Sequence, residues 1–162
     1  MAAKRKPPQR WLFKSEPEAF SIDDLERDGR TSWTGVRNYQ ARNLLRDDLQ
    51  VGDELLFYHS SAKPLAIVGR ARVVAAGYPD PTAADPKSAY HDPGHDPAEP
   101  RWYTVDIEFV ERFAEPLTRQ ELLGQPALAD MMLLQRGSRL SVQPVTETEW
   151  RCVLGLARRG RR

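Results

Sequence analysis

Two runs decide the fold: ELLFYHS, residues 54–60, and LAIVGRARVVAAGY, residues 65–78. Both are rich in β-branched, aromatic and leucine residues, and only four residues separate them. A gap that short cannot hold a crossover helix, so the two runs read as neighbouring strands. Gly69 inside the second run marks a bulge or a close approach of backbone. Further strands are expected at WLFKS (11–15), at RWYTVDIEFVERF (101–113) and at RLSVQPV (139–145).

The helices are short and carry their own start and stop signals. Ser21 with Asp24 opens one, and Gly29 ends it. Asn38 caps a second, in which Ala41, Leu44 and Leu45 share a face. That helix is expected to end near Asp48, before a turn at Val51-Gly52-Asp53. Thr118 with Glu121 forms a capping box for a third, stopped by Gly124. Another helical turn is expected within 127–135, and Thr146 with Glu149 opens a last helix whose Trp150, Val153 and Leu154 lie together. Residues 79–100 hold six of the chain's 13 prolines and read as one long surface loop. The fold class is therefore α+β: five to six mostly antiparallel or mixed strands, curved and closing into a small barrel core, with short helices at its ends and edges.

At 162 residues the chain reads as one domain with basic ends. The expected division is a basic disordered tail over 1–10, a folded body over 11–157 and a second basic tail over 158–162. Eight basic residues in the two ends, set against a total of +1, leave the body at −7. An acidic body argues against tight sequence-blind grip on a duplex, which depends on neutralising phosphates. The basic ends fit either solubilising tails or phosphate-binding arms. No apolar run approaches a membrane span, and the single cysteine, Cys152, suggests a reducing compartment. Cytoplasmic residence, a monomer and no cofactor are the corresponding expectations.

Catalytic signatures are missing. There is no Walker loop, nucleophile elbow, dinucleotide fingerprint or Cys-x-x-Cys pair. Cys152 reads as a small buried hydrophobe. His91, Asp92, His95 and Asp96 resemble a metal set in composition, but Pro93 and Gly94 interrupt any helix that could align them. They read as Asp-Pro turns, and no metal is expected.

The polar segment SWTGVRNYQARN (32–43) is different. It places Trp33, Arg37, Asn38, Arg42 and Asn43 close together before a core strand. A base-binding pocket needs π-faces above and below, amides to read an edge, and cations for phosphate. Trp33 and Trp102 could supply the faces, Asn38 and Asn43 the amides, Arg37 and Arg42 the phosphate contacts. The same residues also fit plain core and cap roles, and composition leaves both readings open.

Five blocks narrow the choice. WLFKSEP (11–17), WTGVRNYQARN (33–43), FYHS (57–60), RWYTVD (101–106) and RLSVQPV (139–145) resemble, in order, the motifs of the EVE domain. The resemblance spans roughly residues 11–150. It implies a PUA-like pseudobarrel related to the YTH readers of methylated RNA. It also implies a non-enzymatic pocket for a modified nucleobase, notably 5-methylcytosine or an oxidised derivative, flipped out of DNA. By similarity the pocket would be built from Lys14, Ser15, Trp33, Asn38, Tyr58, His59 and Ser141, with Trp102 as the opposite wall and Arg37 or Arg42 on the flanking phosphate. The alternatives are a reader of a modified RNA base or nucleotide, an enzyme on modified nucleotides using His59 as acid or base, and a structural adaptor.

Overall fold

The computed structural model describes residues 7–159. Its six strands are β1 (Arg10–Ser15), β2 (Arg30–Ser32), β3 (Glu54–His59), β4 (Ala66–Pro79), β5 (Tyr103–Thr118) and β6 (Val142–Val145). They form one sheet in the order β2-β5-β4-β3-β1-β6. β1 and β3 pair in parallel, with Phe13 opposite Phe57 and Ser15 opposite His59. Every other pairing is antiparallel. The mixed sheet with short flanking helices is thus present, but its ladder does not close: β2 and β6 remain as edges. β6 carries Pro144, which an edge strand tolerates because its missing N–H leaves no inner ladder bond unmade.

Four helices flank the sheet: α1 (Ile22–Asp28), α2 (Tyr39–Asn43), α3 (Arg119–Leu123) and α4 (Glu147–Arg159). Their expected caps form. Ser21–Asp24 and Thr118–Glu121 make reciprocal capping boxes, and Thr146–Glu149 exchanges the same two bonds at 3.0 and 3.2 Å. The Asn38 side chain accepts from the Ala41 N–H at 2.9 Å. α2 runs into a π-helical turn at Leu44–Asp48, and 3₁₀ turns occupy Pro126–Leu128 and Met132–Leu134. The three-residue β2 has no counterpart among the expected strands, because so short an edge strand has no periodicity to read.

Both faces of the sheet are buried, and strand parity sorts the side chains. Trp11, Phe13, Leu55 and Phe57 pack with Ile22 and Leu25 of α1 and Ala41 of α2. Leu12, Leu56 and Tyr58 point the other way, against Leu122 of α3 and Trp150 and Val153 of α4. Gly69 sits where β4 changes register against β5, and a Cβ there would lie 2.4 Å from the Glu111 carbonyl oxygen. Only glycine allows the two backbones that close.

Both ends of the body extend beyond the expected boundaries. Arg10 is not tail: it begins β1, bonds Glu54 at 2.8 Å and lies over the Trp150 ring. Arg158 and Arg159 belong to α4. The rest of the expected tails, 1–6 and 160–162, lies outside the described residues. Among the described residues no helix is long and apolar enough to cross a membrane.

The 79–100 loop is ordered by a repeated device. In each of its four Asp-Pro pairs the Asp carboxylate accepts the N–H two residues on, at 2.8 to 2.9 Å: Asp80 from Thr82, Asp85 from Lys87, Asp92 from Gly94, Asp96 from Ala98. Proline sets φ between donor and acceptor, so each pair closes an Asx turn.

Candidate nucleobase-sized cavity

A cavity of ≈ 270 Å³ opens beside Trp33. It is lined by Ser15 at the end of β1, Ala19 and Phe20 in the following turn, Thr31 and Ser32 of β2, Trp33 and Thr34 just beyond, and Tyr90 from the long loop. That volume falls near the low end of the roughly 300–1,000 Å³ typical of small-molecule pockets. It suits one planar ring rather than an extended ligand.

Trp33 is held firmly. Its N–H bonds the Val105 carbonyl at 2.8 Å, continuing the β2–β5 pairing by one residue. Its ring meets Phe13 at 5.2 Å, Phe57 edge-on at 5.7 Å and Phe20 edge-on at 6.4 Å. It is only partly buried, so ring surface remains on the cavity side. The Ser15 hydroxyl donates to the Phe20 carbonyl and shapes the turn that brings Phe20 to the wall. The Tyr78 hydroxyl donates to the Asp106 carboxylate and is hydrogen-bonded to the Ser32 hydroxyl at 3.1 Å. Burial first, and then the Asp106 carboxylate, push the Tyr78 phenol above its usual pKa. The cavity is thus lined by aromatic faces and neutral hydroxyls.

Tyr90 is not among the residues expected at the site. Its position depends on Gly35, which adopts φ +89°, and whose absent Cβ would lie 2.7 Å from the Tyr90 ring. A bare Tyr in a Pro-rich loop carries no sequence signal of that contact. Gly35→Ala should therefore strain the backbone and displace Tyr90, loosening one wall. Oligonucleotide binding by the variant should fall while its thermal melt still shows one cooperative transition.

Of the expected residues, the structure brings together Ser15 and Trp33 alone around this cavity. Tyr58 is 3% exposed and packs on the opposite face of the sheet, as parity after Phe57 requires. Burial raises its phenol pKa. Lys14 likewise points away from Phe13 and Ser15, and its ammonium donates to the Ser138 carbonyl at 3.0 Å. Ser141 offers its backbone carbonyl to the Lys14 N–H at 2.9 Å and does not line the cavity. His59 lies beside Phe57, but it borders a different hollow with Ile22, Asp23 and Arg112. Its Nε2 accepts the Ile22 N–H at 3.1 Å, satisfying a first-turn donor of α1. That bond needs a neutral ring, and burial holds the His59 pKa below the ordinary imidazole value.

Asn38 is exposed, with its carbonyl oxygen used as the α2 cap. Trp102 stacks on Tyr39 at 4.9 Å and donates Nε1–H to Asp92 at 3.0 Å. It clasps the loop to α2 rather than facing Trp33. Asp92, from the metal-like run, therefore serves the loop, and its carboxyl is held below the usual range, chiefly by the Gly94 N–H. Among the described residues no group of three His, Cys, Asp or Glu is placed to hold a metal ion.

The two arginines expected on phosphate are engaged within the protein. Arg37 bonds the Asp80 carboxylate at 3.1 Å, the Thr82 hydroxyl at 3.2 Å and the Tyr90 carbonyl, and lies over Trp102 at 5.3 Å. Arg42 donates to the Arg101 carbonyl at 2.7 Å and to the Asn43 side chain at 2.8 Å. Asp80 is the hub of the loop attachment: it also accepts the Gly35 N–H at 2.9 Å and both the N–H and hydroxyl of Thr82.

The EVE domain family model matches residues 9–156. Human thymocyte nuclear protein 1 is 39% identical over 166 residues, covering 90% of this chain and 72% of that protein. A crystal structure of a Pseudomonas syringae protein superposes with a TM-score of 0.87 at 49% identity, over 91% of this chain and 99% of the other. The human THYN1 protein, crystallised in complex with 5-methylcytosine-containing DNA, superposes with a TM-score of 0.84 at 38% identity, over 92% and 97% of the two chains.

Proposed function

Because this chain belongs to the EVE domain family, we propose that it is a non-enzymatic reader of a modified base in DNA, 5-methylcytosine or an oxidised derivative, flipped into the cavity beside Trp33. The observation that carries this reading is the cavity itself: one ring in volume, walled by Trp33, Phe20 and Tyr90, and rimmed by Ser15, Thr31, Ser32 and Thr34. The 5-methylcytosine DNA bound by the human THYN1 protein supports the choice of ligand. Trp33 would stack on the base, and the hydroxyls would meet its polar edge.

The lining favours binding over turnover. It contains no carboxylate, imidazole, lysine or thiol, and the Tyr90 phenol is the one acid–base group among its described residues. His59 is turned to another hollow and committed to α1. Cys152 lies on α4 against the second core cluster, where burial pushes its thiol pKa up.

Energetics bound the expected selectivity. Extruding a base costs a few kcal/mol, offset by stacking and edge bonds. Burying one methyl group contributes about 0.8 kcal/mol, or about fourfold in affinity. Fluorescence anisotropy with matched oligonucleotides should show a preference of that order for 5-methylcytosine over cytosine, larger if an oxidised derivative gains an additional hydrogen bond. The preference should persist as salt rises, because it comes from the cavity and not from phosphates. Equal affinity for modified and plain cytosine would refute the assignment. Matched RNA oligonucleotides test the alternative ligand, since only they present the 2′-hydroxyl.

A further inference from the structure

Arg37 is paired with Asp80, so a nucleic-acid backbone beside the cavity calls for further cations that no carboxylate neutralises. At the end of the sheet where β1 and β3 finish, the chain segments that carry Lys14, Lys63, Arg119, Arg136 and Arg139 meet. Lys14 donates to the Ser138 carbonyl at 3.0 Å, beside Arg139. Arg119 donates its guanidinium to the Leu134 carbonyl at 3.4 Å, two residues before Arg136, and its backbone N–H to the Leu65 carbonyl at 2.8 Å, two residues after Lys63. Among the described residues none of the five has a carboxylate partner within ion-pair distance. Most other arginines of the body do have one: Arg10, Arg70, Arg72 and Arg112 are all paired.

The group is linked to the base cavity through the chain segment that follows β1. A groove of ≈ 650 Å³ runs between Pro17–Glu18, just past Ser15, and Ser61–Leu65. Glu18 and Lys63 are the charged residues among its lining. The segment after β1 therefore leads from the cavity wall at Ala19–Phe20, through the groove, to the cationic group. Burial, and then the Arg119 charge nearby, hold the Lys14 pKa below the ordinary lysine value. Two cations so placed, without an anion between them, are stabilised when a phosphate arrives.

We propose that Lys14, Lys63, Arg119, Arg136 and Arg139 form the track for the phosphodiester backbone that flanks the flipped nucleotide. This rests on the base-reader assignment for its position, although the charge effects can be measured without it. The side chains of Lys63, Arg136 and Arg139 are exposed, so their charges can be removed without opening the core.

The test is the triple variant Lys63→Gln/Arg136→Gln/Arg139→Gln, with Arg72→Gln as control, because Arg72 pairs with Glu108 elsewhere on the sheet. Affinity for plain and 5-methylcytosine DNA is measured from 50 to 200 mM salt. The triple variant should bind both about tenfold or more weaker at low salt. Its slope of log K against log salt should be shallower by about 2 to 3, at about 0.9 for each phosphate that is no longer neutralised. The ratio between the two DNAs should stay as in the wild type. A slope unchanged from wild type overturns the track, and so does an equal change in Arg72→Gln. Failure of the base-reader assignment looks different: the wild type then shows no preference between the two DNAs, whatever the slopes.

Discussion

Trp33→Ala lowers affinity for a 5-methylcytosine oligonucleotide by about 5- to 150-fold and removes the preference over cytosine. The range is the roughly 1–3 kcal/mol that one aromatic face contributes to a stacked base. The ring also packs on Phe13 and Phe57, so some stability is lost as well. Trp33→Phe separates the two effects. It leaves a smaller π-face in the same place and should recover part of the affinity at near-normal stability. A Trp33→Ala protein that melts cooperatively and still distinguishes the two oligonucleotides would place the base somewhere other than this cavity.

Asp80→Ala produces the largest loss of stability, about 3 kcal/mol. The Asp80 side chain is fully buried and neutralises Arg37, whose side chain is 24% exposed. Removing one partner of a buried pair costs roughly 3–5 kcal/mol, and the partial exposure of Arg37 sets the low end. The Gly35 N–H and the Thr82 N–H lose their acceptor too. Because these bonds attach the long loop, Tyr90 should shift and base binding should weaken in step. Chemical denaturation checks the first effect, and anisotropy the second.

The same carboxylate predicts a pH dependence. Burial alone would push the Asp80 pKa up, but hydrogen bonds from Thr82, Gly35 and Arg37 outweigh it and hold the pKa below the ordinary value. A lowered folded-state pKa means stability that is present above the unfolded value of about 3.9. It is lost as pH falls through the folded value. The stability gap between wild type and Asp80→Ala should therefore be full at neutral pH and narrow in acid below about pH 4.

Local signals in the sequence determined the parts that depend on neighbouring residues. The capping pairs at Ser21, Thr118 and Thr146 form because donor and acceptor sit three residues apart on one chain. The runs at 11–15, 54–60 and 65–78 fold as strands because alternating apolar side chains can be buried on both faces. Parity along Phe57-Tyr58-His59 already separates Tyr58 from its neighbours, so its exclusion from the cavity was legible as soon as both faces were known to be covered. The family motifs, with Trp33 at their centre, were legible for the same local reason.

Tertiary structure alone decided what depends on distant chain segments meeting. An aspartate in a Pro-rich loop looks like turn chemistry, and Asp80 does make a turn. Only folding shows that it also neutralises Arg37, 43 residues earlier. Tyr90 reaches the cavity because Gly35 leaves room for its ring. Lys14 and Arg119, more than a hundred residues apart, become neighbours because β1 and the start of α3 reach the same end of the sheet. Ion pairing and cavity walls are properties of proximity in space. Sequence spacing carries that information only over the few residues that a single turn or strand can span.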